Sequence, residues 1–249
     1  MSLTLKLGNF NVKIAAAYKG SSGTFADVVP ADIGDGKEYV LRTARASLTL
    51  ARNMKREAEI LQKFPRCDHV MHQMYYKITE TSITCTIQQL LEHTGVPVTD
   101  IRMTISDSLP QFKRILDFLK TQGIVHCDIT PKNVTLKPSG TICLVDFNTA
   151  CYAGTVCAAG SATCNLFRPP EGYFNFIAAY SYDCWSAAIV MLHMSNGMSP
   201  IYTPPELRDP RMTPDQAAFF NACIIGMHPR IFSETLAPML KLDPIERSY

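Results

Sequence analysis

No single sign of charge dominates this chain. Lys and Arg total 24 against 22 for Asp and Glu, a formal net charge of +2 over 249 residues. That removes the electrostatic case for a nucleic-acid or other polyanionic partner. No apolar run reaches the ~18–20 residues that cross a bilayer, so no membrane partner is expected. The opening stretch MSLTLKLGNFNVK has no basic segment followed by a long apolar run, so no signal peptide is expected. The nine cysteines include no C-x-x-C pair and no zinc spacing. An odd count without a secretory leader reads as reduced thiols in an intracellular protein, cytoplasmic and/or nuclear. Internal repeats and low-complexity tracts are also missing. What is present is a globular composition, 47% hydrophobic and 18% charged. A chain of this size can bury a core as one large domain or two small lobes.

The first ninety residues read mainly as strands. Leu3, Leu5 and Leu7 alternate with polar residues, and Phe10, Val12 and Ile14 do so again, which is the period of half-buried strands. A flexible loop follows at 19–25, then a return strand at 26–29 and a turn at Asp32-Ile-Gly-Asp-Gly36 rich in residues that tolerate positive φ. Residues 38–42 form a third short strand. Leu50, Met54, Ala58, Leu61 and Phe64 then share one helical face, and Pro65 ends that helix. Arg52, Lys55, Arg56 and Lys63 read as its solvated side. Residues 75–78 and 83–87 form two more strands about a turn at 80–82.

Beyond residue 91 the pattern becomes mainly helical. Phe112, Ile115, Leu116 and Leu119 share a face of a helix over 109–122, with Gly123 as its C-cap. Short strands at 134–136 and 142–145 flank a Lys-Pro-Ser-Gly turn. A Gly-, Ala- and Cys-rich loop runs from about 150 to 170. Residues 183–194 are apolar nearly all round, the mark of a buried helix, and 217–226 form another. The composition shift at 90–95 divides the chain into an N-terminal lobe, 1–91, and a C-terminal lobe, 92–249.

Chemistry concentrates in His126-Cys-Asp-Ile-Thr-Pro-Lys-Asn133, followed by Asp146-Phe-Asn148. Asp128 can accept a proton. Asn133 and Asp146 offer amide and carboxylate oxygens of the kind a hard divalent cation takes. Asp-x4-Asn alone is a common spacing; its context narrows the reading.

That context is a Gly-bearing loop, a strand carrying a basic residue, a helix with an inward Glu, and then this loop and Asp-Phe-Asn. The order resembles the eukaryotic-type protein kinase family. Arg168-Pro-Pro-Glu171 looks like the A-P-E end of that family's activation segment. Asp183-Cys-Trp185 looks like the start of its buried central helix, and Asp243-Pro-Ile-Glu-Arg247 like its D-P-x-x-R segment. The likeness runs from about Ile14 to Arg247. It implies an α+β, two-lobed fold, with an antiparallel N-terminal sheet bearing one helix and a mainly helical C-terminal lobe. It also implies ATP and Mg²⁺ as cofactors, and a protein substrate or regulatory partner. The oligomeric state is left open.

The resemblance carries roles residue by residue. Ser21-Ser-Gly-Thr-Phe-Ala-Asp-Val28 aligns with G-x-G-x-F-G-x-V, so Gly23, Phe25 and Val28 would cover the nucleotide, with Val40 beside them. Arg42 stands where the family has the Lys that bridges phosphates and helix, and Glu57 is its helix partner; Arg keeps the charge with a bulkier planar head. Asp128 would be the base that orients the substrate hydroxyl. Asn133 and Asp146 would hold Mg²⁺. Cys127 replaces the Arg that reads an activation-loop phosphate, Thr130 replaces the loop Lys, and Asn148 replaces Gly, where tolerance of positive φ would preserve the turn. The H-x-D-I-T-P-x-N spelling looks most like kinases conserved among herpesviruses, which would place the chain in a host cell.

Plainer readings stand beside these. His126 is a core residue, and Glu171 with Arg247 a structural ion pair. His69 and His72 have ligand-like spacing without further ligands. Thr155, Ser161 and Thr163 are candidate phosphorylation sites, and Cys127 a candidate for thiol reagents. Three functions stay open: a Ser/Thr protein kinase, a pseudokinase that binds a partner without phosphoryl transfer, and a small-molecule phosphotransferase. The last usually lacks the A-P-E and D-P-x-x-R pair.

Overall fold

The computed structural model describes residues 2–15, 21–22, 27–81, 84–158, 167–173, 175–196, 236–241 and 243–249. By contacts the chain separates into two compact units: Met1–Thr94 with Asp146–Asn148, and Gly95–Val145 with Thr149–Tyr249. The first therefore extends three residues past the division read from composition, and it takes in the Asp-Phe-Asn segment as well.

The first unit is a seven-stranded sheet with one helix. The strands are β1 (Ser2–Leu7), β2 (Phe10–Ala15), β3 (Ser21–Ser22), β4 (Asp27–Asp32), β5 (Tyr39–Ser47), β6 (Gln73–Glu80) and β7 (Thr84–Glu92). They run in the order β1-β2-β4-β5-β7-β6, with β3 on β4 and every pair antiparallel. Period two sorts the side chains onto two faces. On one face Leu7, Val12, Ala31, Tyr39, Leu41 and Leu90 form an apolar cluster. On the other, helix α1 (Leu48–Lys63) packs Met54 against Ala44, Cys85 and Ile87. Each fully buried side chain of this kind contributes about 1.5–3 kcal/mol. Strands β5, β6 and β7 outrun their expected lengths, because the ladder continues through stretches such as Gln88-Gln-Leu-Leu91 that show no apolar alternation.

The second unit has two α-helices among the described residues. Helix α2 (Ile105–Thr121) starts four residues before the sequence-based position. Thr104 caps it, its Oγ1 accepting from Asp107 N at 3.2 Å, and Pro110 lies inside the helix. Gly123 follows the C-cap at φ +71°, the left-handed position that favours glycine. Helix α3 (Tyr180–Asn196) is buried without interruption from Tyr182 to Leu192, as its all-round apolarity requires. Short ladders hold the connections: β8 (Val96–Pro97) with β10 (Val134–Leu136) and β11 (Ile142–Leu144), β9 (Ile124–Val125) with β12 (Cys151–Tyr152), and β13 (Val156–Cys157) with β14 (Phe176–Ile177). Gly95 enters this unit at φ +91°, where an added Cβ would lie 2.0 Å from the Leu136 carbonyl oxygen; no other residue fits there. The helix expected at 217–226 lies outside the described residues. Among the described residues, no helix is long and apolar enough to cross a membrane.

Candidate active site

In the first unit, Arg42 and Gln89 are direct cross-strand partners on β5 and β7. The Arg42 Nη2 donates to Glu57 Oε2, and its Nε donates to Gln89 Oε1 at 2.8 Å. Gln89 passes the chain on, Nε2 to Gln73 Oε1 at 2.8 Å, and Gln73 Nε2 ends it on the Ala58 carbonyl at 2.9 Å. Glu57, Gln73 and Gln89 are buried, and the Arg42 side chain is 13% exposed. Glu57 is thus the inward acid of α1, while Glu59 is exposed, as the helical spacing indicated. Lys55 and Arg56 are not simply solvated: Lys55 pairs with Glu80, and Arg56 Nη2 donates to the Asn148 carbonyl at 3.3 Å.

The Asp146-Phe-Asn segment is fastened to the same helix. Glu57 Oε1 accepts from Phe147 N at 3.0 Å, and the Phe147 ring meets Phe64 edge-on at 5.4 Å. Burial pulls the Arg42 guanidinium below its ordinary pKa, and the charge of Asp146 opposes that pull. The positive φ expected at Asn148 falls instead on Asp146, at +62°. Asn148 acts through its side chain: Nδ2 donates to Asp146 Oδ1 at 2.6 Å. Val28, Val40 and Arg42 share one sheet face, since Val28 pairs with Arg42 and Val40 lies two residues before it on β5. Both valines are half-buried. Gly23 and Phe25 lie outside the described residues.

In the second unit the loop 126–133 is built around Asp183, at the start of α3. Its carboxylate accepts from His126 N at 2.6 Å and from Cys127 N at 3.0 Å. These bonds hold Cys127 at φ +64°, a conformation that non-glycine residues adopt rarely. Burial pushes the Asp183 pKa up to about 7, against the lowering effect of the two N–H donors. His126 is fully buried. Its Nε2 lies 3.1 Å from the Val145 carbonyl and its Nδ1 lies 3.3 Å from Asp128 N, a pairing that assigns a neutral ring with the proton on Nε2. Asn133 Nδ2 donates to the Asp128 carbonyl at 2.9 Å and to Asp128 Oδ2 at 2.8 Å. With both amide hydrogens turned to Asp128, Oδ1 is the atom that Asn133 can offer a cation.

Farther along, Arg247 and Glu171 form a two-pronged ion pair, Nη1–Oε1 2.5 Å and Nη2–Oε2 2.8 Å, with the guanidinium 5.0 Å over the Trp185 ring. The sequence matches the protein kinase domain profile over residues 20–247. The chain belongs to the protein kinase family. It is similar to cyclin-dependent kinase 4 of Ovis aries, 34% identical over 101 residues, 40% of this chain and 32% of that kinase. It is also similar to serine/threonine-protein kinase STK11 of Rattus norvegicus, 25% identical over 166 residues, 59% of this chain and 37% of that kinase. The chain spans about a third of the length of these relatives.

Against this kinase frame two sequence readings change. Cys127 does not suit thiol reagents: it is buried, and the contact with Cys151 together with burial holds its pKa well above the ordinary thiol range. Cys127, Cys151 and Cys157, which show no zinc spacing in the sequence, place their sulfurs within 4.8 Å of one another. The Gln73–Gln89 chain behind Arg42 escaped the sequence reading; its trace is the pair Gln88-Gln89 set between the apolar Ile87 and Leu90. Among the described residues His69 and His72 join no metal-binding group. Thr155 is exposed, and Ser161 and Thr163 lie outside the described residues.

Proposed function

We propose that this kinase transfers the γ-phosphoryl group of ATP to Ser or Thr hydroxyls of protein substrates. The observation that carries the reading is the clasp of Asn133 on Asp128, which holds a carboxylate in place and leaves the Asn133 amide oxygen as the atom to offer a cation. Phosphoryl transfer asks the protein for positioning and charge neutralisation more than covalent chemistry. Asp128 orients the attacking hydroxyl and takes its proton. Arg42, steadied by Glu57 and Gln89, presents a fixed cation to the α- and β-phosphates. Val28 and Val40 offer an apolar surface to the adenine, and Gly23 and Phe25 cover the phosphates. Asn133 and Asp146 supply hard oxygens that fit Mg²⁺, which when bound neutralises phosphate charge. The Ser/Thr preference draws support from the rat relative's name. The His126–Asn133 spelling supports a place beside the herpesvirus-type kinases, which resemble it in lacking the loop Arg and Lys.

One observation favours a second reading, a pseudokinase acting as a binding scaffold. Asn148 Nδ2 donates to one of the two Asp146 carboxylate oxygens, a contact that would compete with a cation for that carboxylate. The two readings separate on incubation with ATP, Mg²⁺ and a mixed-sequence protein substrate, followed by phosphoamino-acid analysis. The kinase reading expects phosphoserine or phosphothreonine from the wild type and none from Asp146→Ala. Equal, background-level incorporation by both proteins overturns it in favour of the scaffold.

A further inference from the structure

Three thiols far apart in sequence meet in the second unit. Strand β12 pairs with β9 so that Cys151 lies opposite Val125, two residues before Cys127. Six residues after Cys151, beyond a turn with Gly154 at φ +88°, Cys157 returns to the same place on β13. The sulfurs of Cys127 and Cys151 are 3.8 Å apart, and those of Cys151 and Cys157 are 3.7 Å apart. All three lie within 4.8 Å of one another.

These separations are about 1.7 Å longer than a disulfide bond of ~2.05 Å. The Cys127–Cys151 and Cys151–Cys157 distances match the edge of a tetrahedral thiolate set, in which sulfurs ~2.3 Å from a central zinc stand about 3.8 Å from each other, and Cys127 and Cys157 lie within 4.8 Å. Around the trio lie Val125, Phe176, Ala178 and Tyr182, an apolar shell of the kind that shields a thiolate site from water. Cys127 and Cys151 are buried, while Cys157 is half-buried between exposed neighbours, Val156 and Ala158. The site is thus closed on one side and reachable on the other, which leaves a fourth position to solvent.

We propose that Cys127, Cys151 and Cys157 bind one thiophilic divalent cation, with zinc as the physiological candidate, and that the bound ion clamps the segment 151–157 to the loop 126–133. Each thiol releases its proton to solvent as its sulfur coordinates the metal. The clamp's effect on phosphoryl transfer rests on the kinase reading, because Cys127 stands where the resemblance expects an Arg tying these same two segments through a phosphate. The metal site itself does not rest on that reading.

The test uses the reduced, chelator-stripped protein. Titration with Cd²⁺ should raise the ultraviolet sulfur-to-metal charge-transfer band to saturation at one equivalent. Zn²⁺ should then displace the Cd²⁺ with loss of the band. Cys151→Ser, whose fold is checked by circular dichroism, should lose more affinity than the ~100-fold typical of an outer-shell partner. Cys67→Ser, in the other unit, should bind as the wild type does. No saturable band in the wild type, or the same band in Cys151→Ser, overturns the site. A saturable band with phosphoryl transfer unchanged by Zn²⁺ overturns the clamp's role and leaves the kinase reading intact. Absence of transfer in both metal states counts against the kinase reading and leaves the metal site standing.

Discussion

Replacing Arg42 by Lys, the residue the family pattern expects, should harm this protein. Arg42 reaches two acceptors from two different atoms: Nη2 to Glu57 and Nε to Gln89. A lysine ammonium is a point donor on a flexible stem and can satisfy one of them. If it stays with Glu57, the Gln89 Oε1 loses its donor in a residue only 1% exposed. A buried acceptor left without a partner costs about 1–3 kcal/mol. For a chain of this size that amounts to a fall in Tm of roughly 2–12 °C. The assay is thermal or urea unfolding of wild type, Arg42→Lys, Gln89→Leu and the double variant, taken through a double-mutant cycle. The single variants should each destabilise, with a coupling of about 0.5–3 kcal/mol. Arg42→Met should cost more, about 3–5 kcal/mol, because it strands the Glu57 carboxylate. An Arg42→Lys protein as stable as wild type, or one that transfers phosphate faster, would refute this reasoning. Arg42 would then be a mere substitution for Lys and not the head of a network.

Other expectations follow from single contacts. Asn148→Ala removes the side-chain donor from Asp146 Oδ1 and leaves the longer backbone N–H contact at 3.4 Å, so the Mg²⁺ dependence of ATP-induced thermal stabilisation should shift to lower Mg²⁺ by up to about tenfold; an unchanged dependence contradicts the clasp. Glu171→Ala should lower unfolding stability by about 3 kcal/mol, at the low end for a buried pair, because the Glu171 side chain is 22% exposed while that of Arg247 is fully buried. A loss below 0.5 kcal/mol would show the pair to be a surface one. Burial and its bond to Asp35 push the Tyr39 phenol up to about 12. The folded pKa lies above the unfolded value of 10, so the stability it gives is whole below pH 10 and declines as pH rises toward 12. Alkaline difference spectra should lose one late-titrating tyrosine in Tyr39→Phe.

Much of the fold was legible because the signals are local. Alternation in Leu3-Leu5-Leu7 and Phe10-Val12-Ile14 marks β1 and β2, and the four-and-three spacing from Met54 to Phe64 marks α1. Thr104 sets the start of α2 four residues before the expected Leu109, because its side chain accepts the Asp107 N–H outside the apolar face from which the helix was read. At the candidate site, Arg42 with Glu57 was legible as a pair, whereas the bonds from Asn133 to Asp128 were not, the two residues being read as a cation ligand and a base. What the sequence hides is long-range. Gln89 meets Gln73 only through the pairing of β6 with β7 and the bulge between Gln73 and Tyr75. Cys127 meets Cys151 across 24 residues only through the β9–β12 ladder. Asn148 was judged on backbone tolerance, while its side chain turned out to matter.

The most direct measurement is the turnover of Asp128→Asn at saturating ATP, Mg²⁺ and protein substrate, alongside its nucleotide-induced thermal shift. A positioned general base contributes about 10²–10⁴-fold. The account predicts a kcat lowered by that factor with the ATP-dependent shift retained, since Asn133 can still bond the Asp128 backbone carbonyl. A variant that turns over as fast as the wild type would contradict it.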